Sequence, residues 1–118
     1  MKKLIVITSP RFFQGEDTVL SHLFDEGMQR LHLRKPDSEA NELRKLLDRI
    51  PAIYYPKIVL HDCFGLAVEY GLGGVHLNRR NNQIPDGFTG TISRSCHSIG
   101  ELEQFGELDY LFLSPIFQ

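Results

Sequence analysis

Four of the five histidines in this 118-residue chain lie at or near the ends of short apolar runs, beside basic residues, an aspartate and serines. The segments are His32-Leu33-Arg34-Lys35, His61-Asp62-Cys63, His76 with Asn78-Arg79-Arg80, and Ser95-Cys96-His97-Ser98; Ser114-Pro115 follows a further run. Arg34 and Lys35 form a candidate anion clamp. A guanidinium offers phosphate a planar two-pronged fork, and an ammonium adds a point charge. His32 precedes Arg34 by two residues, so both point to one side of a strand. The alternative is a pair of solvated charges ahead of a helix. Asp62 directly follows an apolar run. A carboxylate there suits Mg²⁺, which is commonly held by one or two carboxylates plus substrate phosphates. It equally suits a helix N-cap.

Other chemistries fit less well. Imidazoles from several strand ends could converge on zinc, but no two histidines have the i, i+2 or i, i+4 spacing of local zinc motifs. Cys96 and His97 could form a thiol–imidazole dyad, yet adjacent strand residues face opposite sides. Gly71, Gly73 and Gly74 precede a strand instead of joining a strand to a helix, so they do not form a phosphate loop.

These residues need a frame to hold them. Leu4–Ile7 reads as a buried strand, continuous, mostly β-branched and stopped by Thr8-Ser9-Pro10. Glu16–Glu26 carries a helical stripe of Val19, Leu20, Leu23 and Phe24, with Gly27 as its stop. Met28–Lys35 alternates as a strand. A helix is expected from about Asp37-Ser38 to Pro51, with Leu43, Leu46, Leu47 and Ile50 as its apolar face. Ile58–Leu60 reads as a strand, Phe64–Tyr70 as a helix ended by Gly71, and Gly74–Leu77 as a strand. Asn78–Gly87 is polar, contains Pro85 and reads as loop. Gly90–Cys96, Ser98–Phe105 and Leu111–Leu113 read as strand, helix and strand.

Six strands alternating with about four helices predict an α/β fold with a parallel sheet. Either a doubly wound open sheet or part of a (β/α)₈ barrel fits. Both bind ligands at the carboxyl ends of the strands. Composition is that of one ordinary globular domain, with 42% hydrophobic residues, 24% charged residues and net charge −2. Nucleic acid and anionic membranes select basic surfaces, so neither is an expected partner. No apolar run approaches the ~20 residues of a membrane span, and Leu4–Ile7 is too short for a signal-peptide core. Two cysteines make no disulfide framework, so the expected compartment is a reducing cytoplasm with both thiols free.

Several segments resemble the thiamine phosphate synthase superfamily. Leu60-His61-Asp62-Cys63-Phe64-Gly65-Leu66-Ala67, continuing to Gly71-Leu72-Gly73-Gly74-Val75-His76-Leu77, is similar to its central strand–helix–strand unit. There a strand ends in Asn-Asp and the run Gly-Ala-Asp-Gly-Val-His-Leu follows. Leu31-His32-Leu33-Arg34-Lys35 resembles Gln-Leu-Arg-x-Lys, and Ser95-Cys96-His97-Ser98 resembles Ser-x-His-(Ser/Thr). Asp109-Tyr110 through Ser114-Pro115-Ile116-Phe117 resembles Asp-Tyr-x-x-x-Gly-Pro-(Ile/Val)-(Phe/Tyr). The matches are collinear and cover nearly the whole chain.

The resemblance implies a (β/α)₈ TIM barrel. It also implies a transferase of thiamine biosynthesis that couples hydroxymethylpyrimidine pyrophosphate to thiazole phosphate and releases pyrophosphate. By carry-over Arg34 grips pyrophosphate, Asp62 binds Mg²⁺ and Ser95 touches the diphosphate. His32 and His61 stand at the family's Gln and Asn positions and join Lys35 as substrate-binding candidates. The family's lysine falls at Pro36, and its second metal aspartate falls near Asn81, whose neutral side chain holds Mg²⁺ more weakly. A second branch, the TenI-like thiazole tautomerases, moves a proton on a thiazole phosphate carboxylate. There the histidine matching His97 acts as acid and base, a task suited to its near-neutral pKa. Arg34 and Asp62 favour the synthase; Pro36 and Asn81 favour the tautomerase. A non-catalytic ligand-binding barrel fragment is the third reading.

Phosphorylated small molecules are thus the expected partners, and an oligomer is compatible with the sequence. Six strands also predict that residues 1–118 form the N-terminal part of a barrel whose strands seven and eight lie beyond them, where such barrels commonly hold phosphate.

Overall fold

A computed structural model describes residues 4–96, 98–104 and 108–113. The elements alternate as β1 (Ile5–Ile7), α1 (Glu16–Asp25), β2 (Arg30–Leu33), α2 (Ala40–Asp48), a 3₁₀ turn (Ala52–Lys57), β3 (Ile58–Leu60), α3 (Gly65–Tyr70), β4 (Gly74–Leu77), β5 (Thr91–Cys96), α4 (Ile99–Gln104) and β6 (Tyr110–Leu113). All five neighbouring strand pairs are parallel, in the order β1-β2-β3-β4-β5-β6. A doubly wound sheet reverses its strand order at a switch point. This sheet never reverses, so the barrel reading holds and the open-sheet alternative falls. The sheet also curls. The Tyr110 hydroxyl on β6 reaches His32 Nε2 on β2 at 2.9 Å. Strands four places apart touch across a concave face only in a partial barrel.

Strand parity decides what each face carries. Leu31 and Leu33 on β2, Ile58 and Leu60 on β3, and Val75 and Leu77 on β4 point outward. They meet Leu20 and Phe24 of α1, Leu43, Leu46 and Leu47 of α2, and Leu66 and Ala67 of α3 in one buried cluster. The intervening residues, among them His32, Val59, His76 and Ser93, point inward and are also buried. The polar residues of the barrel interior are thus placed by the same alternation that builds the core.

Several boundaries differ from the sequence expectation for local reasons. The helix expected at Asp37-Ser38 begins at Ala40, because Glu39 and Glu42 form a reciprocal capping box there. The strand expected from Met28 to Lys35 narrows to Arg30–Leu33. The 3₁₀ turn has no periodic signature and was not foreseen. It matters for packing, since a Cβ on Gly73 would run into the Pro56 carbonyl oxygen within it. Gly71 ends α3 at φ 66, the left-handed cap that glycine adopts freely. The loop reading of the segment between β4 and β5 holds. Strand β1 is not buried as expected. Ile5 and Ile7 are each 48% exposed: among the described residues β1 pairs with β2 and with no other strand, and of its residues Val6 is the one packed on the helices. Cys63 and Cys96 are both free, and no described helix is long and apolar enough to cross a membrane.

Candidate functional site

The carboxyl ends of the strands frame a cavity of about 360 Å³ lined by Arg34, His61, Arg79, Arg80, Arg94 and Ser95, with Asn78, Ile7, Phe112 and Glu101 completing the wall. Four arginines and one glutamate among these residues make it strongly cationic.

Arg34 is the first residue past β2. Its N–H donates to Thr8 Oγ1 at 3.1 Å, and the Thr8 hydroxyl donates back to the Arg34 carbonyl at 3.3 Å. This reciprocal pair locks the backbone to the end of β1. Its guanidinium has no hydrogen-bond or ion-pair partner among the described residues, and it lines the cavity. A half-buried arginine without an internal partner is a ready anion donor.

Lys35 does the opposite. Its side chain is fully buried. Nζ donates to the carbonyls of Ser9 and Arg11, each at 2.9 Å, and to Glu16 Oε2 at 2.7 Å. An ammonium has three N–H donors, and all are engaged away from the cavity. The strand has already ended at Leu33, so the chain turns and sends Lys35 under the loop that follows β1. Lys35 therefore does not join Arg34 at the cavity, as the expected clamp required, and is a fastener of the fold.

Asp62 ties three strand ends together. Oδ2 accepts the Lys35 N–H at 2.9 Å. Oδ1 accepts Arg80 Nη2 and Nε at 3.1 and 3.2 Å, and Asn81 Nδ2 at 3.1 Å. It caps no helix: the N-cap of α3 is Phe64, which makes no side-chain cap bond. Asn78, part of the strand-end segment noted in the sequence but given no role there, organises the arginines beside it. Its Oδ1 accepts the N–H groups of Arg80 and Asn81, and its Nδ2 donates to the carbonyls of His61 and His76. An asparagine at a strand end, followed by a polar run, was the available signal for this turn.

Below the cavity lies a histidine cluster. His32 Nδ1 meets His61 Nε2 at 2.8 Å, and His32 Nε2 meets the Tyr110 hydroxyl. His76 bonds the Ser93 and Ser95 hydroxyls through its two ring nitrogens, each at 2.7 Å. Ser95 is thus fixed by His76 as it lines the cavity. Burial lowers the pKa of all three imidazoles. His32 falls to about 3, helped by nearby His76 and Arg30; His61 falls to about 2, helped by His76 and His32; His76 falls to about 4, helped by Arg94. Neutral rings are therefore the state at pH 7.

Candidate ligand atoms of the three histidines lie within 4.8 Å of one another. Even so, the His61 and His76 rings are stacked, 19° from parallel. Their lone pairs run side by side instead of converging, and both ring nitrogens of His32 and His76 already have partners. This is a hydrogen-bonded core, not a metal centre. Burial also raises the pKa of both thiols, Cys63 and Cys96, which removes the nucleophile the dyad reading needed. His97 and Ser114-Pro115 lie outside the described residues. Of the expected site residues the structure brings together Arg34, His61 and Ser95 at the cavity, with His32 beneath them and Asp62 behind Arg80; Lys35 is not among them. The sequence reading gave Arg79, Arg80 and Arg94 no site role.

The cluster predicts an acid-sensitive fold. Each imidazole binds its proton more weakly folded than unfolded, where the pKa is near 6.5. Stability from their neutral burial is whole above pH 6.5 and is lost as pH falls, through about 4 for His76, about 3 for His32 and about 2 for His61. The melting temperature is expected to be lower at pH 5 than at pH 7, and His76→Gln is expected to reduce that difference.

Comparison with known proteins agrees with this geometry. The family described as thiamine monophosphate synthase matches residues 4–118. The thiamine-phosphate synthase of Listeria welshimeri is 30% identical, with 68% of this chain matched to 42% of that one. That of Listeria innocua is 28% identical, with 68% matched to 41%. The chain thus spans about two-fifths of the length of these relatives. The crystal structure of thiamine phosphate pyrophosphorylase from Bacteroides thetaiotaomicron superposes with a TM-score of 0.90 at 46% identity, over 98% of this chain and 59% of that chain. A sequential parallel sheet, an arginine-lined cavity at its carboxyl edge and a family match over nearly every residue agree: this chain belongs to the thiamine monophosphate synthase family.

Proposed function

We propose that the cavity is the diphosphate subsite of a thiamine phosphate synthase. The observation that carries this reading is Arg34, whose guanidinium has no internal partner among the described residues and lines one cavity with Arg79, Arg80 and Arg94. Such a site suits a diphosphate leaving group. In the reaction the bond between the pyrimidine methylene carbon and the diphosphate oxygen breaks, and a bond from that carbon to the thiazole nitrogen forms. Charge builds on the departing oxygens, where fixed guanidinium donors stabilise it more than in the bound substrate. No protein nucleophile is required. The Ser95 hydroxyl, bonded to His76 and lining the same cavity, hydrogen-bonds the same group in this reading. The buried histidines set that placement and stay neutral.

Magnesium, the cofactor expected by resemblance, does not fit Asp62 as it stands. Both carboxylate oxygens are already engaged, and a guanidinium shares the oxygen a cation would need. The residues here therefore supply the positive charge in the proposed step.

The test is turnover by the full-length protein given hydroxymethylpyrimidine pyrophosphate and thiazole phosphate. Equimolar pyrophosphate and thiamine phosphate are expected. One observation favours the tautomerase reading: the neutral Asn81 after β4 and the paired Asp62 after β3 leave these two strand ends without a free acid among the described residues. Isomerisation of a thiazole phosphate carboxylate, abolished by His97→Asn and without pyrophosphate release, would establish that reading instead.

A further inference from the structure

We infer that Arg80 does the work of a divalent cation, so that the cavity binds a diphosphate group without metal; this deepens the phosphate-site reading above and rests on it. Asp62 is buried, with a side chain 6% exposed, and its carboxylate is answered by a cation of the chain itself. Arg80 Nη2 and Nε both donate to Oδ1, Asn81 Nδ2 donates to the same oxygen, and the Lys35 N–H occupies Oδ2. A magnesium ion at its usual ~2.1 Å from Oδ1 would lie against the guanidinium. It would have to expel Arg80 and strip three donors from that oxygen. Asn81 adds no charge to draw it in. Its amide spans Asp62 Oδ1 and the His61 carbonyl as a donor to both, a role an aspartate could not fill.

Arg80 is at the same time a cavity-lining residue. Two of its five N–H donors are spent on Asp62, and the other three have no partner among the described residues. Its backbone N–H is pinned by Asn78 Oδ1 at 3.0 Å. The result is a fixed positive charge with unused, forked donors at the cavity wall, its orientation set by Asp62. A guanidinium so placed binds phosphate oxygens in pairs. Arg34 enters the cavity from the end of β2, so a diphosphate could be gripped from two strand ends. Asp62 is then a positioning residue for Arg80, not a metal ligand.

The test is calorimetric titration of the full-length protein with inorganic pyrophosphate, in excess EDTA and again in millimolar Mg²⁺. Affinities within about twofold of each other are expected. In EDTA, Arg80→Ala is expected to weaken binding about 10- to 100-fold, the effect of losing charge-assisted hydrogen bonds. The double variant Arg80→Gln, Asn81→Asp, which removes the guanidinium and restores an acid, is expected to bind pyrophosphate only with Mg²⁺. Circular dichroism of each variant separates misfolding from lost binding. Wild-type binding seen only with Mg²⁺ overturns this inference and leaves the phosphate site standing. Wild-type affinity unchanged by Arg80→Ala in a folded protein also overturns it. Absence of pyrophosphate binding in both conditions overturns the inference and the phosphate-site reading together.

Discussion

Lys35→Met is expected to lower the unfolding free energy by about 3–5 kcal/mol, the cost of leaving a buried charge without its partner. The ammonium is fully buried, 2.7 Å from Glu16 Oε2, and methionine cannot replace any of its three hydrogen bonds. Two of these hold the carbonyls of Ser9 and Arg11, so the loop after β1 loses its anchor as well. Glu16 would then be a buried carboxylate with neither oxygen answered, since Oε1 already has no partner among the described residues. The double variant Lys35→Met, Glu16→Leu removes both charges and is expected to be far milder than the single change. Urea denaturation of the three proteins checks this. A single-variant loss below about 1 kcal/mol would show that the pair contributes no more than an exposed one.

Arg34→Ala is expected to weaken pyrophosphate binding by about 1.5–3 kcal/mol, or roughly 10- to 150-fold, with little change in stability. The two adjacent basic residues thus part ways: one holds the fold, the other lines the cavity. Arg34→Lys keeps the charge and loses the fork, so an intermediate affinity is expected. Unchanged affinity in a folded Arg34→Ala protein would remove this residue from the site.

That division of labour marks where the sequence stopped being legible. Residues in regular elements were readable because periodicity fixes their faces. Leu43, Leu46 and Leu47 recur at helical spacing and are buried, and Gly74–Leu77 was read to the residue. That Arg34, His61 and Ser95 lie at one cavity, with His32 beneath, was legible because strand ends of a parallel sheet share one edge. The clamp reading failed at Lys35 because adjacency in sequence was taken for a shared site, whereas alternation along the chain sends Arg34 and Lys35 to opposite sides. The Asp62–Arg80 pair joins two turns 18 residues apart, a contact no local pattern encodes. Exposure of Ile5 and Ile7 follows from the place of β1 in the sheet order, which composition does not reveal.

The central claim is that the carboxyl-edge cavity holds the diphosphate group. A crystal structure of the full-length protein with pyrophosphate tests it most directly. The account predicts pyrophosphate in this cavity, with oxygens within ~3 Å of the Arg34 and Arg80 guanidinium nitrogens and of Ser95 Oγ. Pyrophosphate bound elsewhere, with Arg34 and Arg80 making no contact to it, would contradict the account.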